Sequence, residues 1–132
     1  MVNINLTYSS IFCGIVLLYF CCEYYSNDNI LLIWLTLIGI FTSILNHSYK
    51  NNLLQCIDRI TMVIGFFIIL YISNKRNTKI ISLGIILTVF LYLLSKCEND
   101  NLYHLYAHLL ITVNIILLLR TKIYLSNPKI NI

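Results

Sequence analysis

Five long apolar blocks, each separated from the next by a few polar residues, dominate this chain. They cover residues 9–25, 30–46, 57–73, 80–95 and 102–119. A helix that crosses a bilayer needs roughly 17–25 apolar residues, and each block comes close to that length. Within hydrocarbon every backbone N–H and C=O must find its partner inside the protein, which leaves helices or a closed barrel. Strict apolar–polar alternation is absent here, and a membrane barrel needs at least about eight strands. The blocks therefore predict an all-α integral membrane protein, a single domain over 1–132 built as a bundle of about five transmembrane helices.

Charge content agrees with that prediction. Only 11% of residues are charged, where a soluble domain carries roughly 25%. The first eight residues lack a basic stretch, and no small-residue cleavage site follows the first block, so that block reads as a span rather than a signal peptide. No basic stripe is interleaved with aromatics, which argues against nucleic-acid binding. The cysteines Cys13, Cys21, Cys22, Cys56 and Cys97 show no C-x-x-C or zinc-finger spacing. Cys56 and Cys97 fall on one side of the membrane and could pair there, although free thiols are the expectation. One glycine occurs in each of the first four blocks, with no G-x-x-x-G pair, as in ordinary membrane helices.

Orientation follows from the basic residues. Lys75, Arg76, Lys79, Arg120, Lys122 and Lys129 share one side, and Lys50, Arg59 and Lys96 share the other. Six against three predicts a cytoplasmic C-terminus and a lumenal N-terminus. The shortness of the blocks suits a thin membrane, such as that of the endoplasmic reticulum or Golgi.

The polar residues within the blocks form a pattern. Ser43 and His47 lie four apart at the end of the second block, Asp58 opens the third, and His104 and His108 lie four apart at the start of the fifth. Residues at i and i+4 share a helix face. The second block leaves the membrane on the side where the third and fifth enter it, so all five side chains belong to one membrane face. Ser43 and His108 sit about one turn, roughly 5.4 Å, deeper than His47 and His104. Three imidazoles with an open fourth position form the ligand set of a catalytic zinc site. Ionisable groups inside a span are costly unless paired, and point to function. The plainer alternative is three interfacial histidines close to the headgroups.

The segments Ser43-Ile-Leu-Asn-His47, Gln55-Cys-Ile-Asp58 and His104-Leu-Tyr-Ala-His108 resemble the signature of the CREST superfamily of membrane proteins. That group includes alkaline ceramidases, adiponectin-receptor-like (PAQR) proteins, hemolysin III relatives and GPI-anchor lipid-remodelling enzymes. The interval from His47 to Asp58 and the run Gln55-x2-Asp58-x3-Met62 are most similar to alkaline ceramidases. The resemblance implies that His47, His104 and His108 bind zinc, with Ser43 and Asp58 beside the reacting water. Family members have seven helices where this chain has five, and Arg59 stands where ceramidases carry an acidic residue. A shortened bundle is expected to leave the site partly open and to favour self-assembly into a homo-oligomer.

Together these features lead to the expectation of a zinc-dependent hydrolase cleaving an amide or ester bond of a membrane lipid, ceramide or another sphingolipid among them. Asp58 would accept a proton, or would orient a ligand histidine. Ser43 would hydrogen-bond the water or the developing oxyanion. The alternative is a non-enzymatic multi-pass protein whose structural metal ties the second and fifth helices, acting through partner binding or membrane remodelling. A channel or transporter fits less well, because no charged residue lies mid-span.

Overall fold

The computed structural model describes residues 4–49 and 51–121. It contains five helices: α1 (Ile4–Glu23), α2 (Ile30–Ser48), α3 (Asn52–Lys75), α4 (Lys79–Cys97) and α5 (Asn101–Arg120). A single 3-10 turn, Asn27–Asn29, leads into α2. All five helices are long and apolar enough to cross a membrane. No strand occurs among the described residues. The protein is an all-α, multi-pass membrane bundle. Lys50, Lys122 and Lys129, three of the basic residues used to orient it, lie outside the described residues.

The helices extend beyond the apolar blocks, most clearly at α1 and α3, which begin at Ile4 and Asn52 rather than at residues 9 and 57. Local capping explains the extension at α3. The Asn51 side chain accepts a hydrogen bond from the Leu53 N–H at 2.8 Å, satisfying a first-turn donor that hydrocarbon would leave bare. Asp100 does the same for Leu102 at the head of α5, also at 2.8 Å. At the far end of α3, Asn77 takes a left-handed conformation (φ 56°). There the Asn77 N–H reaches the Asn74 carbonyl and the Thr78 N–H the Ser73 carbonyl, each at 3.0 Å. This pairing is a Schellman stop.

The helices pack as a ring. Each contacts its chain neighbours, and α5 returns to contact α1. The α4–α5 contact is the most extensive and the α3–α4 contact the sparsest. Contacts between neighbouring helices thus run all the way round the ring.

One end of the ring is tightly packed. Leu32 and Leu118 are fully buried there, with Ile85, Ile72 and Ile81 beside them. Arg76 locks this end. Its guanidinium donates to the carbonyls of Leu118, Thr121 and Asp28 and to the side-chain oxygen of Asn29. The Asn29 amide in turn donates to the carbonyls of Tyr24 and Leu119, at 2.8 and 3.1 Å. Burial lowers the Arg76 pKa from its ordinary value, and neighbouring Asp28 opposes that shift. A residue counted from sequence as a topology signal is therefore also the tie between α3, α5 and the α1–α2 turn.

Lipid tails are as apolar as leucine, so helices in a membrane associate through close backbone approach and polar contacts. Two glycines serve this purpose. A Cβ at Gly14 would meet Ile40 Cγ2 at 2.8 Å, and one at Gly84 would collide with the amide of Asn114. Gly39 has open space around it, and Gly65 has only an ordinary van der Waals neighbour. The outer flanks carry Trp34, Phe41, Leu83 and Phe90, all exposed to the surroundings of the bundle.

Candidate metal centre

The end of the ring opposite Arg76 holds the polar constellation. His47 lies in the last turn of α2, and His104 and His108 lie on one face of α5. Ring centroids are 5.1 Å apart for His47 and His104, 5.4 Å for His47 and His108, and 4.7 Å for His104 and His108. One nitrogen from each ring falls within 4.8 Å of the other two, so the three can hold a metal ion. The placement expected from i, i+4 spacing and helix parity is what brings these rings together.

The donor chemistry fits an ion. Nε2 of His47 is buried and has no hydrogen-bond partner. A buried polar atom left unpaired costs about 1–3 kcal/mol, and the great majority find a partner. A cation shared with the two neighbouring imidazoles would satisfy that nitrogen. Imidazole suits zinc, copper, iron and nickel in preference to calcium or magnesium.

The surrounding shell comes largely from residues that sequence did not single out. Ser9 Oγ lies 2.8 Å from His108 Nδ1. The same hydroxyl donates to the Leu6 carbonyl at 3.1 Å, which leaves its oxygen free to accept from the imidazole N–H. Ligand histidines usually hold their second nitrogen in this way. Thr7 donates to the His47 carbonyl at 2.9 Å, and Cys13 contacts the His108 carbonyl through its thiol. Tyr92 of α4 packs edge-on against His104, with centroids 5.2 Å apart. Parity was the available signal for Ser9 and Ser10, because α1 starts at the histidine face. Nothing in the local sequence marked Tyr92.

Asp58 is buried on α3, and its carboxylate accepts from the Asn46 amide at 2.6 Å. The three histidines make up the ligand-atom cluster, while Asp58 and Ser43 both line the cavity beneath it. Ser43 Oγ lies 3.1 Å from Ser10 Oγ, linking α2 to α1. Cys56 and Cys97 are free and exposed, as expected.

Below the histidines a cavity of about 350 Å³ runs down the axis of the ring and is lined by all five helices. Its upper wall includes His104, His108, Ser43 and Asp58, and its lower wall Leu17, Leu35, Ile69 and Ile115. The volume falls within the roughly 300–1,000 Å³ typical of small-molecule sites. A polar head above an apolar shaft suits an amphiphile. Comparison with known proteins finds no matching family model, curated protein or solved structure.

Proposed function

We propose that this protein is a zinc-dependent hydrolase that cleaves an ester or amide bond of a membrane lipid. The observation that carries this reading is the convergence of three imidazoles, one with an unpartnered buried nitrogen, at the head of an apolar cavity. The resemblance of the Ser43–His47, Gln55–Asp58 and His104–His108 segments to alkaline ceramidases supports the same reading.

His47, His104 and His108 would hold the ion, with Ser9 fixing the ring of His108. Zinc bound there supplies a Lewis acid and lowers the pKa of water toward neutrality. The apolar shaft takes the acyl chain and presents its carbonyl to the polar head of the cavity. Asp58 accepts a proton from the attacking water and returns it to the departing amine or alcohol as the C–N or C–O bond breaks. Asn46 holds that carboxylate through its 2.6 Å hydrogen bond. Ser43 donates to the oxygen on which negative charge develops. The Lys/Arg distribution supports an orientation with the histidine end and N-terminus lumenal and the C-terminus cytoplasmic, in the endoplasmic reticulum or Golgi.

A second reading has its own observation. His47 belongs to α2 and the other two histidines to α5, which lie on either side of α1 in the ring. An ion there would also staple the ring, as in a non-enzymatic scaffold.

Metal analysis of purified protein, with lipid hydrolysis measured in parallel, separates these readings. The hydrolase reading expects one zinc per chain, lost together with turnover when any one histidine becomes alanine. A scaffold expects lower protein abundance on histidine loss and no turnover in the wild type. Wild-type protein without stoichiometric zinc would sink both.

A further inference from the structure

The ring has one thin side. Contact between α3 and α4 is the sparsest between neighbouring helices of the ring. Val63 on α3 and Leu93 on α4 line the cavity, yet they are 57% and 55% exposed, where lining residues such as Leu17 and Ile69 are buried. Met62 does the same beside Val63. Residues that face the cavity and the outside at once mark a lateral opening, and in a membrane span that opening faces lipid.

Two cations stand over this opening at the histidine end. Arg59 precedes Met62 and Val63 by three and four positions, and Lys96 follows Leu93 by three. Each cation therefore shares its helix face with the residues of the opening, about one turn nearer the headgroups. Lys96 Nζ lies 5.3 Å over the Tyr92 ring, the same ring that packs against His104. The charges of Lys96, Arg59 and Asp58 act on one another. Asp58 is buried and held by Asn46. The Asp100 carboxylate caps α5, while Glu98 closes α4 through its backbone N–H to the Leu94 carbonyl. Among the described residues neither Arg59 nor Lys96 has a hydrogen bond or an ion pair, and both are exposed.

At Lys96 the repulsion from Arg59 outweighs the attraction of Asp58, and a further anion shared by the two cations relieves that repulsion. We infer that an acidic phospholipid enters sideways between α3 and α4, its acyl chain passing Met62, Val63 and Leu93 into the cavity while its anionic phosphate headgroup is held between Arg59 and Lys96. This deepens the hydrolase reading by assigning the charge and entry route of the substrate. It is tested through binding, apart from turnover.

The full chain is reconstituted in phosphatidylcholine nanodiscs. These carry a trace of phosphatidic acid or phosphatidylcholine, each bearing the same photoactivatable acyl chain, and the crosslinked residues are mapped by mass spectrometry. Labelling by the acidic lipid is expected to exceed that by the zwitterionic one by roughly thirtyfold, at about 1 kcal/mol for each of the two basic residues near the surface. The label should fall on α3 and α4 around Val63 and Leu93. The Arg59→Gln/Lys96→Gln double variant should lose the preference, and Arg59→Lys/Lys96→Arg should keep it. Equal labelling by the two lipids, label centred on another helix pair, or an unchanged preference in the glutamine variant would each overturn the inference. So would loss of preference in the charge-preserving variant, because the effect would then lie in packing rather than charge. Soluble glycerol 3-phosphate should not compete, and competition would show a headgroup site without the lipid route. If the preference is present but no lipid is hydrolysed, the hydrolase reading fails and this one stands.

Discussion

Ser9 Oγ lies 2.8 Å from Nδ1 of His108, although 99 positions separate the two residues in the chain. Because the Ser9 hydroxyl proton is directed to the Leu6 carbonyl, the coherent arrangement has His108 Nδ1–H donating to Ser9. That tautomer leaves Nε2 with the lone pair a metal needs. Replacing such a supporting partner typically costs about 10–100-fold in metal affinity. Ser9→Ala is therefore expected to weaken zinc binding by that order, while Ser9→Thr restores it. Competition titration with a zinc chelator measures both, and equal affinity in wild type and Ser9→Ala would remove Ser9 from the site.

Asp58 and the histidines should separate by readout. Asp58→Asn keeps the shape of the side chain but cannot accept a proton. Zinc content should stay near that of the wild type while turnover falls by about 10²–10⁴-fold, the usual contribution of a general base. Parallel loss of metal and activity would instead assign Asp58 to holding a ligand. An Asp58→Asn protein with full turnover would remove it from the chemistry altogether.

The four glycines should not behave alike. Gly39 lines the cavity and has nothing within 4 Å of where its Cβ would be. Gly39→Leu should fold with stability equal to wild type or better, since leucine is favoured over glycine in a helix by up to about 1 kcal/mol. Its side chain would nevertheless occupy the shaft and abolish acyl-chain binding. Gly84→Leu would strike the Asn114 amide and should lower the melting temperature. Thermal melts beside a lipid-binding assay make the comparison, and an unimpaired Gly39→Leu would show that the shaft does not carry substrate.

Arg76 is expected to matter for stability and not for metal. Its guanidinium reaches three carbonyls and the Asn29 side chain at the end of the ring away from the histidines. Removing a charged donor leaves those buried acceptors unsatisfied, at about 1.5–3 kcal/mol for each such bond before relaxation. Arg76→Met should lower the melting temperature clearly while zinc stoichiometry in the surviving folded protein stays the same. A melt indistinguishable from wild type would mean that water replaces the lock.

Much of this molecule is determined by the sequence alone, because the bilayer leaves a chain few options. Apolar blocks of near-spanning length must become helices, since only a helix pairs its backbone groups within the segment. Helix parity then assigns Ser43, His47, Asp58, His104 and His108 to one membrane face. Spacing of four places His104 and His108 on one side of α5. Those steps depend on periodicity and chain order, which are properties of the sequence itself. What the tertiary structure decided is which faces meet. Local order does not state that α5 closes against α1, bringing Ser9 to His108, or that Asn46 turns to Asp58. Nor does it state that α3 and α4 make the sparsest contact of the ring, with Val63 and Leu93 exposed beside the cavity. Membrane helices lack a strong hydrophobic drive to choose neighbours, so the choice falls to close contacts such as Gly14 on Ile40 and Gly84 on Asn114 and to polar ties such as Arg76. These are long-range pairings between individually unremarkable residues, and they acquire meaning only when the ring closes.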